Sequence, residues 1–170
     1  MGDYDKALEY QNKALEIYKA KFGENHHDIA FCYSAIGSVY VGLGDYDKTL
    51  EYCNKALEIY KAKFGENHPN IAVCYSAIGS VYDGLGDYDK ALEYQNKALE
   101  IYKAKFGENN PNIAGCYVSI GLVYLGFGDY KTALKYFIKA WEIQKDVLGE
   151  SHPATLQTLE TIDEIKKELK

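Results

Sequence analysis

Histidine is the residue type in this chain best suited to chemistry, because an imidazole can move protons or bind a metal ion. The four histidines are His26, His27, His68 and His152. Three of them, at 26, 68 and 152, are separated by one fixed interval or a multiple of it, and two of these three precede a proline. A histidine before a helix that begins with proline is placed to cap that helix. We therefore interpret these three regularly spaced histidines, hereafter the histidine column, as structural. We predict no catalytic residue.

Three potential metal ligands are consecutive in the sequence: His26, His27 and Asp28. Consecutive residues of a helix project in different directions, so we expect these side chains to diverge. We predict no metal site and no cofactor. The glycines do not form a phosphate-binding loop either, because they follow helices and no strand precedes them.

Four cysteines could in principle carry redox or metal chemistry. Cys32, Cys74 and Cys116 are spaced at equal intervals, and Cys53 has no equivalent, since Gln11, Gln95 and Phe137 occupy its column. Equivalent atoms of stacked helices lie roughly 10 Å apart, whereas a disulfide needs Cα atoms within about 7 Å. We therefore predict reduced, buried cysteines in an intracellular protein.

Composition excludes several classes of partner. The net charge is −6, and none of the 170 residues is arginine. Nucleic acids and anionic membranes are bound by clustered basic residues, so neither is an expected partner. No apolar run approaches the roughly 18 residues that a membrane-spanning helix needs, and no secretory signal opens the chain. We predict a cytoplasmic protein.

The elements that would position any site recur with a 42-residue period, which is also the interval between the equivalent histidines and cysteines. The copies cover residues 2–43, 44–85, 86–127 and 128–170, and the first two copies differ at only six positions. A fixed period of this size is typical of a stacked repeat array rather than of an enzyme domain. We predict one array over residues 1–170 and no enzymatic activity.

Each repeat is predicted to contain two amphipathic helices, giving eight helices and an all-α fold. In the second copy the first helix should run from about Asp45 to Lys63, and the second should begin at the step from His68 to Pro69. Short loops make neighbouring helices antiparallel. Glycines recur within the second helix at Gly37, Gly79 and Gly121, which indicates close approach between helices. The last helix, residues 153–170, is predicted to cap the array.

The order of large, small and aromatic residues resembles the tetratricopeptide repeat. It is carried by Tyr75, Ile78, Gly79, Tyr82, Gly86, Tyr88, Ala91 and Ala98. The usual repeat has about 34 residues, and the longer form found here is similar to the arrays of the kinesin light chain. The resemblance implies a right-handed α-solenoid of antiparallel helix pairs.

In that family the first helix of each motif lines a concave groove that binds an extended peptide or a partner helix. Members that grip a peptide C-terminus use lysine, arginine and asparagine there, and this chain has none at those positions, so we expect no binding of a terminal carboxylate. Carried over by motif, the groove residues would be Phe31, Ser34, Ser38, Val41, Val73, Ser76, Ser80, Asp83, Gly115, Val118, Leu122 and Leu125.

Differences between the second and third copies point to the same surface. Nine positions differ, and five of them, at 115, 118, 119, 122 and 125, trace one helical face. One interpretation is that this face varies because it binds a ligand. The other is that Val118, Leu122 and Leu125 pack against the diverged last repeat, with its Phe137 and Trp141.

The function predicted on these grounds is that of a protein-protein interaction scaffold. The alternative is a structural spacer or self-associating array with no specific groove ligand. The first helix favours self-association, because no short helix precedes it and its apolar face is expected to be only half covered. That face consists of Leu8, Ala14, Leu15 and Tyr18.

Overall fold

Helices account for almost the whole chain. The computed structural model describes residues 2–170, and within that range there are eight helices and no strand. The helices are α1 (Gly2–Phe22), α2 (His27–Leu43), α3 (Tyr46–Phe64), α4 (Pro69–Gly84), α5 (Tyr88–Phe106), α6 (Pro111–Gly126), α7 (Tyr130–Leu148) and α8 (Pro153–Glu168).

Aspartates begin the long helices α3, α5 and α7. Asp45, Asp87 and Asp129 each accept a hydrogen bond from the backbone N–H three residues later, at 3.2, 3.3 and 3.0 Å. Gly65, at φ +76°, follows the end of α3 in a positive-φ conformation that glycine adopts without strain. The predicted helix from Asp45 to Lys63 is thus confirmed to within one residue at each end.

The short helices α2, α4, α6 and α8 are capped by the histidine column and its asparagine. In each case the side chain accepts the backbone N–H two residues later, which confirms the structural role predicted for this column. The acceptors are His26 Nδ1 at 3.4 Å, His68 Nδ1 at 3.3 Å, Asn110 Oδ1 at 2.9 Å and His152 Nδ1 at 3.2 Å.

The chain divides into two compact units, Met1–Val81 and Tyr82–Lys170. In the first unit α2 packs against both α1 and α3; in the second, α6 packs against α5 and α7, and α7 against α8. Each unit has its own buried core. That of the first includes Ile29, Ile36, Ala56 and Tyr60, and that of the second includes Ile113, Ile120, Phe137 and Ile162. The single array over residues 1–170 stays a prediction.

Glycine allows adjacent helices to approach closely, as predicted. A Cβ atom on Gly37 of α2 would lie 2.9 Å from Cys53 Sγ of α3, and one on Gly121 of α6 would lie 2.8 Å from the Phe137 ring of α7. Both distances are shorter than van der Waals contact, so a larger residue would force the helices apart.

Tyrosine columns stack between neighbouring helices. The rings of Tyr40 and Tyr52 lie 5.7 Å apart in the first unit, and those of Tyr124 and Tyr136 lie 5.6 Å apart in the second. These contacts join a short helix to the long helix that follows it.

Among the helices that the structure describes, none has both the length and the apolar character needed to span a membrane.

Candidate interaction surface

The predicted groove residues of the first unit lie on the short helices α2 and α4. We define the short-helix face as the twelve groove residues named from the sequence. In this unit Phe31, Ser38 and Val73 are exposed, whereas Ser34 is buried and lies behind the surface. Val41, Ser76 and Ser80 are half-buried. The accessible part of the face is therefore mainly apolar.

The serine hydroxyls of this face donate to their own helices. Ser38 Oγ donates to the Ser34 carbonyl at 3.0 Å, and Ser80 Oγ donates to the Ser76 carbonyl at 3.1 Å. Because each hydroxyl proton is already used, only the oxygen lone pairs remain for a ligand. These serines can accept hydrogen bonds from a partner but are not placed to donate them.

In the second unit the face combines packed and exposed residues. Val118 and Leu125 are half-buried and pack against a core cluster of Ala133, Phe137, Ile162 and Ile165. Leu122 remains 46% exposed, and Gly115 is exposed as well. The packing interpretation therefore applies to Val118 and Leu125. Leu122 is the large apolar residue of this group left open to a ligand.

Asp83 is the one charged residue among the predicted groove positions. It is half-buried near the end of α4, and burial raises the pKa of its carboxyl above the usual value. A carboxylate that is partly removed from water favours a partner that donates a hydrogen bond or carries a positive charge.

A concave site forms in the second unit between α6 and α8, with α7 at its base. This C-terminal cleft has a volume of ≈ 300 Å³. Three of its residues belong to the short-helix face. The lining residues are Gly115, Val118, Leu122, Phe137, Gln144, Ala154, Gln157, Thr158 and Thr161.

Gln144 is the most unusual polar residue of the C-terminal cleft. Its side chain is only 7% exposed, and its Oε1 atom is buried without a hydrogen-bond partner. A buried carbonyl oxygen without a donor is energetically costly.

Sequence reasoning missed Gln144, although the repeat carries a signal for it. The equivalent positions in the earlier copies are Tyr18, Tyr60 and Tyr102, so Gln144 interrupts a tyrosine column. Tyr60 and Tyr102 are buried. Replacement of a large ring by a shorter amide leaves space, and glycine at 115 in place of Val73 leaves more. These two substitutions account for a cleft at this point of the fold.

The turn before α2 corrects an expectation from the sequence. His26, His27 and Asp28 were predicted to diverge, but one ligand atom from each lies within 4.8 Å of the others. The physical reason is that His26 precedes the helix, with extended backbone angles of φ −82° and ψ 144°. The three residues are therefore not consecutive within a helix.

Cysteine packing is partly as predicted. All four cysteines are buried and none is joined in a disulfide, which confirms their assignment to the core. Cys53, which has no equivalent in other copies, lies beside Cys74, and the hydrogen bond between the two thiols together with burial raises the pKa of Cys74. The sequence did not predict this contact, because Cys53 and Cys74 occupy different positions within the repeat and the argument from spacing applies only to equivalent positions.

The first helix presents apolar side chains to solvent. Tyr10 is 69% exposed and Ile17 is 64% exposed, whereas the equivalent Ile101 in the third copy is buried.

Comparison with protein families identifies the repeat. One sequence model described as "Tetratricopeptide repeat" matches residues 1–48 and 34–104, and a second model with the same description matches residues 113–154. No curated protein matches the chain.

Solved structures show the same fold at low sequence identity. BtubC (BKLC) from P. vanneervenii is 24% identical with a TM-score of 0.81, and the match covers 98% of this chain and 66% of that one. A putative kinesin light chain from Podosopora anserina, with nearly identical TPR-like repeats, is 16% identical with a TM-score of 0.71, covering 98% and 79%. These neighbours are TPR-like solenoids, and the eight described helices of this chain have that fold class.

A Rap protein complexed with competence and sporulation factor has the same fold. It is 22% identical with a TM-score of 0.81, and the match covers 96% of this chain and 44% of that one. The chain thus spans less than two thirds of the length of both the BtubC and the Rap structures.

Proposed function

The chain belongs to the tetratricopeptide repeat family, and from that premise we propose that it is a non-catalytic scaffold that binds an extended peptide or a partner helix. Folds of this kind commonly mediate protein-protein interaction. We propose the short-helix face as the binding surface, with the C-terminal cleft as its most specific part. Buried cysteines that form no disulfide support a cytoplasmic setting, where thiols stay reduced.

The observation that carries this proposal is the composition of the C-terminal cleft. It joins an exposed apolar side chain, Leu122, to a buried amide oxygen without a donor, on Gln144. Binding sites typically combine apolar walls with a few polar groups that fix orientation. An apolar side chain of a peptide would contact Leu122, and a neighbouring N–H would satisfy Gln144.

Other polar groups of the C-terminal cleft further restrict the class of ligand that it can bind. Thr158 Oγ1 donates to the Ala154 carbonyl at 3.0 Å, and Thr161 Oγ1 donates to the Gln157 carbonyl at 3.1 Å. No charged residue lines the cleft within the described part of the chain. The cleft therefore suits an uncharged, apolar peptide segment that supplies hydrogen-bond donors.

A relative of the same fold supports binding of a ligand. The Rap protein was solved in complex with competence and sporulation factor. That complex shows that a protein of this fold can bind such a factor. The selection experiment described next identifies a partner for this chain.

Selection from a displayed peptide library followed by amide NMR mapping tests the proposal. A selected peptide should shift the amide resonances of Leu122, Thr158 and Thr161 more than those of residues on α5, which does not line the cleft. If the shifts from every selected peptide map away from the short-helix face, the proposed site is wrong.

A second candidate function is self-association through α1, and the exposure of Tyr10 and Ile17 favours it. Burial of these side chains against another copy would remove apolar surface from water. Light scattering over a range of protein concentrations tests this, with Tyr10→Lys plus Ile17→Lys as the variant. A molecular mass that stays monomeric at every concentration would exclude this function and leave the peptide-binding proposal intact.

A further inference from the structure

We propose that His26, His27 and Asp28, hereafter the His-His-Asp turn, form a binding site for a divalent transition-metal ion such as Zn²⁺. The site lies in the first compact unit and uses none of the residues of the C-terminal cleft. It is independent of the proposed peptide binding.

Distances within the His-His-Asp turn suit a small cation. His26 Nδ1 lies 3.4 Å from Asp28 Oδ2, and His27 Nε2 lies 3.5 Å from Asp28 Oδ1. Zinc bonds to histidine nitrogen at about 2.0–2.1 Å, so two ligand atoms of a tetrahedral site lie roughly 3.3 Å apart. Each histidine nitrogen thus lies at about this separation from an oxygen of Asp28, and one ligand atom from each of the three residues lies within 4.8 Å of the others.

Aromatic packing holds both imidazoles in place. The rings of Phe22 and His26 stack at 4.3 Å, those of His26 and His27 lie 4.2 Å apart, and Phe64 contacts His27 edge-on at 5.7 Å. A row of four rings therefore fixes the orientation of the two ligands before an ion arrives. Such pre-organisation lowers the entropic cost of binding.

One ligand nitrogen must change its partner. His26 Nδ1 accepts the backbone N–H of Asp28 at 3.4 Å, which is long for a hydrogen bond, so its loss costs little. Coordination through Nε2 of His27 breaks no hydrogen bond at the other ring nitrogen, because the buried Nδ1 has no hydrogen-bond partner. The Asp28 carboxylate supplies the negative charge that offsets the positive end of the α2 dipole.

Comparison of the repeats provides independent support. Only six positions differ between the first two copies, and two of them replace ligands of this turn. His27 and Asp28 correspond to Pro69 and Asn70 in the second copy, and to Pro111 and Asn112 in the third. The potential ligand set is therefore confined to the first repeat, on a backbone that forms a helix cap in every case.

The donor set selects the class of ion. Two imidazole nitrogens and one carboxylate suit zinc and its neighbours in the first transition series rather than magnesium or calcium, which prefer oxygen ligands. All three side chains are partly exposed, so an ion can enter from solvent and water can complete its coordination.

Calorimetric titration of the tag-free 170-residue chain with Zn²⁺ tests the proposal. The decisive variant is His27→Pro plus Asp28→Asn, which gives this turn the sequence of the second repeat and is therefore expected to fold. The control is His68→Asn plus His152→Asn, which removes the other two histidines. Imidazole NMR resonances of the unmodified chain provide a reading that does not depend on any variant.

We expect one equivalent of Zn²⁺ to bind the unmodified chain and the control alike, with shifts of the His26 and His27 imidazole resonances. Affinity should fall at least tenfold in the His27→Pro plus Asp28→Asn variant. Equal affinity in that variant, or Zn²⁺ binding without shifts of these two imidazoles, would overturn the proposal. So would the absence of Zn²⁺ binding to the unmodified chain.

Discussion

Single substitutions within otherwise constant columns distinguish one repeat from the next. Gln144 in a tyrosine column and Gly115 in a column of Phe31 and Val73 open space in the last repeats. His27 and Asp28 in a column of proline and asparagine bring potential metal ligands together in the first. The columns themselves are caps, close contacts and core residues. We therefore expect functional residues at the positions where one repeat differs from the others.

Replacement of Gln144 by leucine should stabilise the protein. The variant removes a buried amide oxygen without a partner, and this should raise the free energy of unfolding by about 1–2 kcal/mol. Urea denaturation measures the change. Gln157→Leu is the matched control, because Gln157 lines the same cleft but is exposed, and its effect should be close to zero. A lower stability for Gln144→Leu would mean that the amide makes a favourable contact.

Tyr60 should make stability depend on pH in the alkaline range. Burial raises the pKa of Tyr60 from 10.0 to about 12 in the folded chain. A raised pKa means that the neutral phenol is favoured by folding, so its contribution is complete below pH 10 and is lost as pH rises toward 12. The loss amounts to at most roughly 3 kcal/mol.

Comparison with the Tyr60→Phe variant isolates this effect from the other tyrosines. Chemical denaturation at several pH values should give a shallower decline in the free energy of unfolding for the variant than for the unmodified chain. Parallel declines would show that Tyr60 titrates no differently in the folded and unfolded states.

At the scale of elements, the helices could be predicted because their signals are local and repeated. Aspartate caps, proline at the first helical position and terminal glycines placed α3 and α4 almost to the residue. Which residues of α6 are covered could not be predicted, since it depends on contacts with α7 and α8. Val118 and Leu125 pack against that neighbouring core, whereas Leu122 is 46% exposed. The convergence of the His-His-Asp turn likewise required the extended backbone at His26.

Two glycines of α6 should respond oppositely to the same substitution. Gly121→Ala places a Cβ 2.8 Å from the Phe137 ring and should lower the free energy of unfolding by about 1–3 kcal/mol. Gly115→Ala meets nothing within 4 Å and should raise it by about 1 kcal/mol, because alanine favours a helix. Thermal denaturation of both variants measures the difference. Destabilisation by both would show that the surroundings of Gly115 do not accept a Cβ atom.

At the scale of the whole molecule, each compact unit is a set of paired helices with its own core. This arrangement follows from the repeat, because each helix pair covers its apolar surface with its neighbours. It also separates the two proposed sites. The His-His-Asp turn belongs to the first unit and the C-terminal cleft to the second.

Peptide binding to the second unit should depend little on salt. The lining residues that the structure describes for the C-terminal cleft are all uncharged, so screening of charges removes no attraction from it. The dissociation constant of a selected peptide should change less than about twofold between roughly 0.05 and 0.5 M NaCl, measured by fluorescence anisotropy. A steep rise with salt would place binding at a charged surface instead.

The central claim is that the short-helix face of the second unit binds a peptide, and the most direct test is the affinity of a selected peptide for one double variant. Val118→Ser plus Leu122→Ser gives α6 the residues of Ser76 and Ser80 in the second copy. Val147→Ser, on α7 and 41% exposed, is the matched control outside the C-terminal cleft. Isothermal titration calorimetry should show at least a tenfold weaker affinity for the double variant and no change for the control. Equal affinity for all three proteins would contradict the claim.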